Sequence, residues 1–305
     1  MKTTSQAIPL FLEELRLAKR SPRTLATYRQ GLNLFLDIVG AEAPLTEETY
    51  IQFLQSTSNL RAGTQITYRA AVCGLYEYHS PGIPMKLLNR RYGQKRPKRQ
   101  IKYNEEAVIK VIQYMELLSC QTLLDYRDRA FIITEADTGM RISEMCALNR
   151  GDVDWQKGTA MIIGKGDKEA EILFSDRSLK FMKDYLAFRA ELDGKSGRPL
   201  ETLPLFARHD DGAGQKVKRV GSKGMWAAIC GRILEAGCVE HAISPHKFRD
   251  HFVTTTYRDS KDIVLAKELA RHEDIATTDR YTHLARDEVK KKYRNIFNKS
   301  KETTL

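Results

Sequence analysis

The sequence predicts a mainly α protein with one small β-hairpin, arranged as two helical regions. Three observations carry this. Apolar residues recur at helical spacing through most of the chain, strand-like alternation occurs at a single place, and a basic segment broken by proline and glycine separates the regions. At 305 residues there is enough chain for two domains, each burying its own core.

The elements follow in order. An early apolar stretch, residues 8–12, is ended by Glu13 and Glu14 too soon for a signal-peptide core, and no run approaches transmembrane length. Ser21-Pro22 reads as an N-cap followed by proline at the first helical position, and Leu25, Tyr28, Leu32, Phe35 and Val39 then recur at helical spacing. Thr46, Glu47 and Glu48 open a second helix carrying Tyr50, Phe53 and Leu54, since a hydroxyl cap and first-turn acids suit the exposed N–H groups there. Residues 62–79 give a third, with Tyr68, Val72, Leu75 and Tyr76 as its buried stripe. Tyrosines in such stripes are read as core. Pro81, Gly82, Pro84, Gly93 and Pro97 then interrupt any regular pattern.

The second region opens at Asn104, Glu105 and Glu106, a cap and two acids, followed by Val108, Val111, Ile112 and Met115. Residues 159–163 and 169–174 alternate as strands and flank Gly164-Lys165-Gly166-Asp167-Lys168 as a hairpin. A helix over residues 176–192 follows, then a polar, glycine-containing stretch over 193–221 read as irregular loop. Helices resume at about 222, 244, 261, 274 and 286. The expected division is therefore a helical domain over 1–88, a basic linker over 89–102, a second domain over 103–299 and a frayed tail over 300–305.

The formal charge of +11 favours a polyanionic partner, because cations that neutralise phosphates release condensed counterions. Its distribution is more telling: Lys86, Arg90, Arg91, Lys95, Arg96, Lys98, Arg99 and Lys102 lie in a segment without acidic residues. Such a segment is either a solvated linker or a strap across a DNA backbone. Five scattered cysteines, Cys73, Cys120, Cys146, Cys230 and Cys238, include no C-x-x-C pair, so neither a disulfide framework nor a zinc knuckle is indicated. A soluble cytoplasmic protein without membrane association is the expectation.

Several residues carry possible chemistry, and each has a plainer reading. In Gly139-Met140-Arg141-Ile142-Ser143-Glu144 one helix should stop and another begin. Arg141 there would meet an anion beside free N–H groups, with Glu144 on the same face to orient its guanidinium; considered alone, a helix-start arginine is usually a surface charge. Lys165, between glycines at a hairpin tip, is a solvated loop residue or a proton donor to a departing alkoxide. Ser244-Pro245 opens a helix that places His246 and Arg249 three apart on one face, a basic surface or a pair reaching one phosphate. Zinc is disfavoured, because His246, His251, His272 and His283 have neither H-x-x-x-H spacing nor an acidic partner. His272 precedes Tyr281 across a polar link. Tyrosine is a sluggish nucleophile, about one in a thousand being phenolate at neutral pH, and needs a base or positive site beside it.

Taken in order, these segments resemble the tyrosine recombinases, the family of phage integrases and Xer-type recombinases. Residues 138–144 resemble T-G-x-R-x-S-E, residues 163–168 the lysine hairpin, residues 246–249 H-x-L-R, and residues 269–272 with 280–283 L-G-H followed by the nucleophile block Y-T-H. The first region is similar to the family's helical core-binding domain through residues 21–24 and the Tyr28 helix. Arg271 replaces the usual glycine before His272, Phe248 replaces leucine, and Asp250 replaces a frequent histidine.

The resemblance implies a two-domain DNA clamp with an α+β catalytic domain. Tyr281 would attack phosphorus and form a 3′-phosphotyrosine. Arg141 and Arg249 would bind the non-bridging oxygens, with Lys165 as acid on the leaving oxygen, His246 handling the tyrosine proton, and His272 adding a phosphate hydrogen bond. Arg90, Arg91, Lys95, Arg96, Lys98, Arg99 and Arg271 are candidate DNA contacts. No metal, cofactor or ATP is implied. The expected partner is double-stranded DNA with inverted-repeat core sites, bound by a homotetramer or a heterotetramer with a related recombinase, at the nucleoid. The alternatives are a type IB topoisomerase-like enzyme and an inactive DNA-binding regulator of the same fold.

Overall fold

The computed structural model describes residues 2–92, 104–163, 169–214, 216–238 and 243–272. The chain separates into two units, Met1–Arg99 and Gln100–Leu305.

The first unit is helical throughout its described residues. Helix α1 (Thr4–Leu17) was not foreseen as a helix; the apolar run at residues 8–12 lies within it, and Ala7, Ile8 and Phe11 are its buried face. Helix α2 (Pro22–Val39) begins as the Ser-Pro pair requires, Ser21 Oγ accepting the Thr24 N–H at 3.1 Å. Helices α3 (Glu47–Ser56) and α4 (Ala62–His79) follow, and Phe35 packs edge-to-face on Phe53 and Tyr76. Tyr50 and Tyr76 are fully buried, their hydroxyls reaching Asn89 Oδ1 at 2.5 Å and Thr49 Oγ1 at 2.8 Å, as core tyrosines must.

One expectation changes here. The proline-rich break does not run on unbroken, because helix α5 (Met85–Tyr92) forms just after Pro84, where proline is tolerated, and buries Met85 and Leu88. Arg90 and Arg91 sit exposed in its last turn.

The second unit is built around a helix buried on nearly every side. Helix α6 (Glu105–Leu117) is capped by Asn104, whose Oδ1 accepts the Ala107 N–H at 3.1 Å. Helix α7 (Leu123–Thr138) carries Phe131, Ile132 and Ile133, all wholly buried, and lies against α6 and the helices that follow. Helix α8 (Ile142–Ala147) comes next, then an antiparallel sheet of β1 (Val153–Asp154), β2 (Thr159–Ile163) and β3 (Glu169–Leu173) in that order. The hairpin register pairs Ala160 with Ile172 and Ile162 with Ala170, and Ala160, Ile162 and Ile172 face the core. Strand β1 is too short to show alternation, which is why only a hairpin was legible.

Helices α9 (Asp176–Phe188) and α10 (Ala190–Gly194) divide what reads as one helix. The stretch expected to be loose, 193–221, is irregular but anchored. It holds a 3-10 turn at Leu200–Thr202 and isolated bridges Asn149↔Pro204 and Ala207↔Arg219. The reason is a buried cation: Arg189 donates to Tyr185 Oη at 2.9 Å, Leu205 O at 3.1 Å and Pro204 O at 2.9 Å, so Leu203, Leu205 and Phe206 are drawn fully inside. Helices α11 (Ser222–Glu235), α12 (His246–Ser260) and α13 (Ile263–Ala270) complete the described unit, α12 packing on both α7 and α13. The helices expected from about 274 and 286 lie outside the described residues. Among the described residues no helix is long and apolar enough to cross a membrane.

Candidate active site

Four helix ends meet at one point of the second unit. Helix α7 stops at Gly139, whose left-handed backbone (φ 58°, ψ 23°) turns the chain so that its N–H donates to Glu135 O. The turn also needs the absence of a side chain, since a Cβ on Gly139 would lie 2.4 Å from Cδ1 of Phe252 on α12. Two residues on, Arg141 is the N-cap of α8, and Glu144 closes a reciprocal pair with it. The Glu144 carboxylate accepts the Arg141 N–H at 2.9 Å through one oxygen and Arg141 Nη1 at 2.6 Å through the other.

Arg249, one turn into α12, is buried, and its guanidinium donates to Gly139 O and to Ala270 O at the end of α13. Helix α13 ends on Arg271 in the left-handed region (φ 55°, ψ 46°). The Arg271 N–H donates to Glu268 O at 2.9 Å and the His272 N–H to Lys267 O at 3.0 Å, which fixes where His272 begins. The Arg271 side chain turns inward and donates to Glu144 at 3.2 Å and Gly139 O at 3.4 Å. Arg141, Glu144, Arg249, Arg271 and His272 are thus brought together around one glycine.

His246 stands at the start of α12, its ring edge-to-face with Trp226 of α11 at 5.4 Å. Ser244 and Pro245 open the helix through their carbonyls, accepting the N–H groups of Lys247 at 2.8 Å and Phe248 at 3.2 Å. Asp250, in place of a frequent histidine, pairs with Lys247 at 2.7 Å. Lys165 and Tyr281 lie outside the described residues, as do Lys95, Arg96, Lys98 and Arg99. Arg90 and Arg91 belong to the first unit.

The electrostatics are those of an anion site. Burial, followed by the charges of Arg249, Arg141 and Arg271, pushes the His272 pKa down to about 4, so the ring is neutral at physiological pH. Burial also lowers His246, with Asp250 opposing and Arg249, Lys247 and Arg141 assisting. Burial alone would raise Glu144, but hydrogen bonds from Arg141 and the nearby Arg271 outweigh it and the pKa falls, so Glu144 is ionised. Two neutral imidazoles beside clustered guanidinium groups suit proton transfer and charge stabilisation at a phosphate.

The model of the phage integrase family matches residues 104–288, which includes every residue of this cluster. The chain belongs to the phage integrase family. Among relatives of this chain, tyrosine recombinase XerC of Treponema denticola is 31% identical over 182 residues, covering 56% of this chain and 56% of that protein. The match thus spans little more than half of that relative. Tyrosine recombinase XerC of Proteus mirabilis is 27% identical over 294 residues, covering 93% and 91% respectively. A crystal structure of XerH site-specific recombinase in a post-cleavage complex with a palindromic difH substrate superposes with a TM-score of 0.72. Its identity is 23%, over 96% of this chain and 84% of that one, a likeness of fold.

The integrase fold also brings in residues that the sequence reading did not single out. Trp226 lies against His246, Phe252 fills the space over Gly139, and Glu135 of α7 is wholly buried close enough to Arg249 to feel its charge. Glu135 left one trace in the sequence, an acid inside an otherwise apolar helical stretch. Trp226 and Phe252 left none.

Proposed function

We propose that this chain is a site-specific DNA recombinase, which cleaves and rejoins DNA strands through a 3′-phosphotyrosine intermediate without metal or ATP. The observation that carries the proposal is the grouping of Arg141, held by Glu144, and Arg249, held on Gly139 O, close enough to His246 and His272 for both charges to lower the two histidines. Planar guanidinium forks suit the non-bridging oxygens, where the pentacoordinate transition state gathers charge.

The Tyr281 hydroxyl oxygen attacks phosphorus, its proton passes to neutral His246, and the bond from phosphorus to the 5′-oxygen breaks. Lys165 protonates that oxygen as it leaves. His272 donates a hydrogen bond to the phosphate, and Glu144 fixes Arg141. Attack by a 5′-hydroxyl from another strand reverses each transfer and frees the tyrosine, so bond energy is conserved.

The partner is double-stranded DNA. The helical domain over 1–88 and the catalytic domain over 103–299 each contribute contacts to it, and Arg90, Arg91, Lys95, Arg96, Lys98 and Arg99 contact its backbone. The working unit is a tetramer of this chain, or of this chain with a related recombinase, on two inverted-repeat core sites in the nucleoid.

A nicked suicide substrate carrying the core site tests the chemistry. The wild-type chain should give a covalent protein–DNA adduct that survives detergent, and Tyr281→Phe should give none. An adduct that persists in Tyr281→Phe would sink the nucleophile assignment, and efficient relaxation of supercoiled plasmid lacking any core site would sink the recombinase reading.

A further inference from the structure

Among the described residues three that are not glycine adopt left-handed backbone, and all three lie at helix C-termini: Lys19, Lys261 and Arg271. The conformation costs a residue with a Cβ about 1–2 kcal/mol, a cost that glycine escapes. Lys19 and Lys261 are exposed to solvent. Arg271 does the opposite. Its side chain is only 13% exposed, and it ends 3.2 Å from a Glu144 oxygen. That carboxylate is itself only 10% exposed, and its other oxygen holds Arg141 Nη1 at 2.6 Å.

Glu144 is therefore gripped from two sides. The oxygen that accepts from Arg271 also accepts the Arg141 backbone N–H, so the Arg271 guanidinium, Glu144 and the start of α8 form one hydrogen-bonded unit. A second contact of the same guanidinium group, on Gly139 O at 3.4 Å, ties α13 to the end of α7. With glycine at 271, Glu144 would keep, among the described residues, its bonds to Arg141, and its carboxylate would lose a cationic partner that limits its rotamers.

We infer that Arg271 is a positioning residue for strand cleavage: it fixes Glu144, and through Glu144 the guanidinium of Arg141. This rests on the assignment of Arg141 to the scissile phosphate. It differs from a direct DNA contact, which the inward turn of the side chain does not serve.

Arg271→Gly is the natural test, because glycine suits the left-handed position, and an unchanged urea midpoint checks that the fold is kept. Single-turnover cleavage of the suicide substrate at saturating DNA should slow about tenfold, the scale of one hydrogen bond to a charged group, with DNA affinity and its salt dependence unchanged. In a Glu144→Gln background the same substitution should change the rate less than twofold, because the acceptor charge it acts through is gone. Weaker DNA binding with an unchanged saturated rate, or a full tenfold loss in the Glu144→Gln background, would overturn the inference. Adduct formation by the wild-type chain checks the recombinase reading separately: if it fails, that reading falls, whereas the variant ratios bear on Arg271 alone.

Discussion

Gly139→Ala is the perturbation for which the structure gives the most definite magnitude. Two costs are separable. The backbone at φ 58° disfavours any residue with a Cβ by about 1–2 kcal/mol. The new methyl would also stand 2.4 Å from Cδ1 and 2.9 Å from Cγ of Phe252, so the ring has to move, an overpacking cost of about 1–3 kcal/mol. The sum, about 2–5 kcal/mol, is a large share of the roughly 5–15 kcal/mol that stabilises a typical domain. Both tryptophans, Trp155 and Trp226, lie in the second unit, so their fluorescence in a urea titration reports that unit selectively. Phe252→Leu should relieve the steric part. In a double-mutant cycle the two losses should then fall short of additive by about 1–3 kcal/mol. Gly139→Ala within about 0.5 kcal/mol of wild type, or strict additivity with Phe252→Leu, would refute the reasoning.

Two further predictions concern buried titratable groups. Burial holds the Glu135 pKa well above the carboxylate range, only partly opposed by Arg249, and its oxygens accept no hydrogen bond among the described residues. The cost is absent below the unfolded pKa of about 4.3 and grows as pH rises towards the folded value, so Glu135→Leu should stabilise by about 1–3 kcal/mol near pH 8 and far less near pH 5. A destabilised variant would mean that ionised Glu135 is needed to neutralise Arg249. The histidines act in the other direction: burial lowers His209 and His272 to about 4 and also lowers His246 and His251. Stability present above about pH 6.5 should therefore drain away as pH falls towards about 4, read as a falling urea midpoint in the Glu135→Leu background, where the opposing carboxyl is absent; a flat midpoint would count against neutral burial.

Periodicity made the helical cores legible, because α2, α3, α4 and α6 each combine a cap with a one-sided stripe, and such signals are local. What stayed hidden was tertiary. Helix α7 is buried on nearly all faces, so it has no stripe to read, and only its C-terminal end was visible, through Gly139 and the residues after it. Helix α5 hid behind prolines that happen to precede it, and β1 behind its two-residue length. The anchoring of the 193–221 stretch depends on Arg189, a residue that reads as an ordinary surface cation until its carbonyl partners are seen. At the site, the order of Arg141, His246, Arg249 and His272 was legible, but their neighbours were not: nothing in the sequence places Phe252 over Gly139 or turns Arg271 onto Glu144.

If the cluster is to attract a phosphate, as proposed, its choice of hydrogen-bond acceptors matters. Fixing a buried arginine with a carboxylate is the stronger bond, but each carboxylate also cancels the charge it is meant to aim. Here Arg249 is held by Gly139 O and Ala270 O, carbonyls at the C-terminal ends of α7 and α13, where helix dipoles already place partial negative charge. Those two acceptors orient a planar fork and carry no formal charge themselves. Glu144 is the ionised acid bonded to the cluster, and it serves Arg141 and Arg271 together, so one negative charge orients two positive ones. Glu135, the other carboxyl that feels Arg249, is pushed by burial towards its neutral form. Arg141 and Arg271 thus share one ionised carboxylate and keep a net positive charge between them, the sign that suits a phosphodiester as it becomes pentacoordinate.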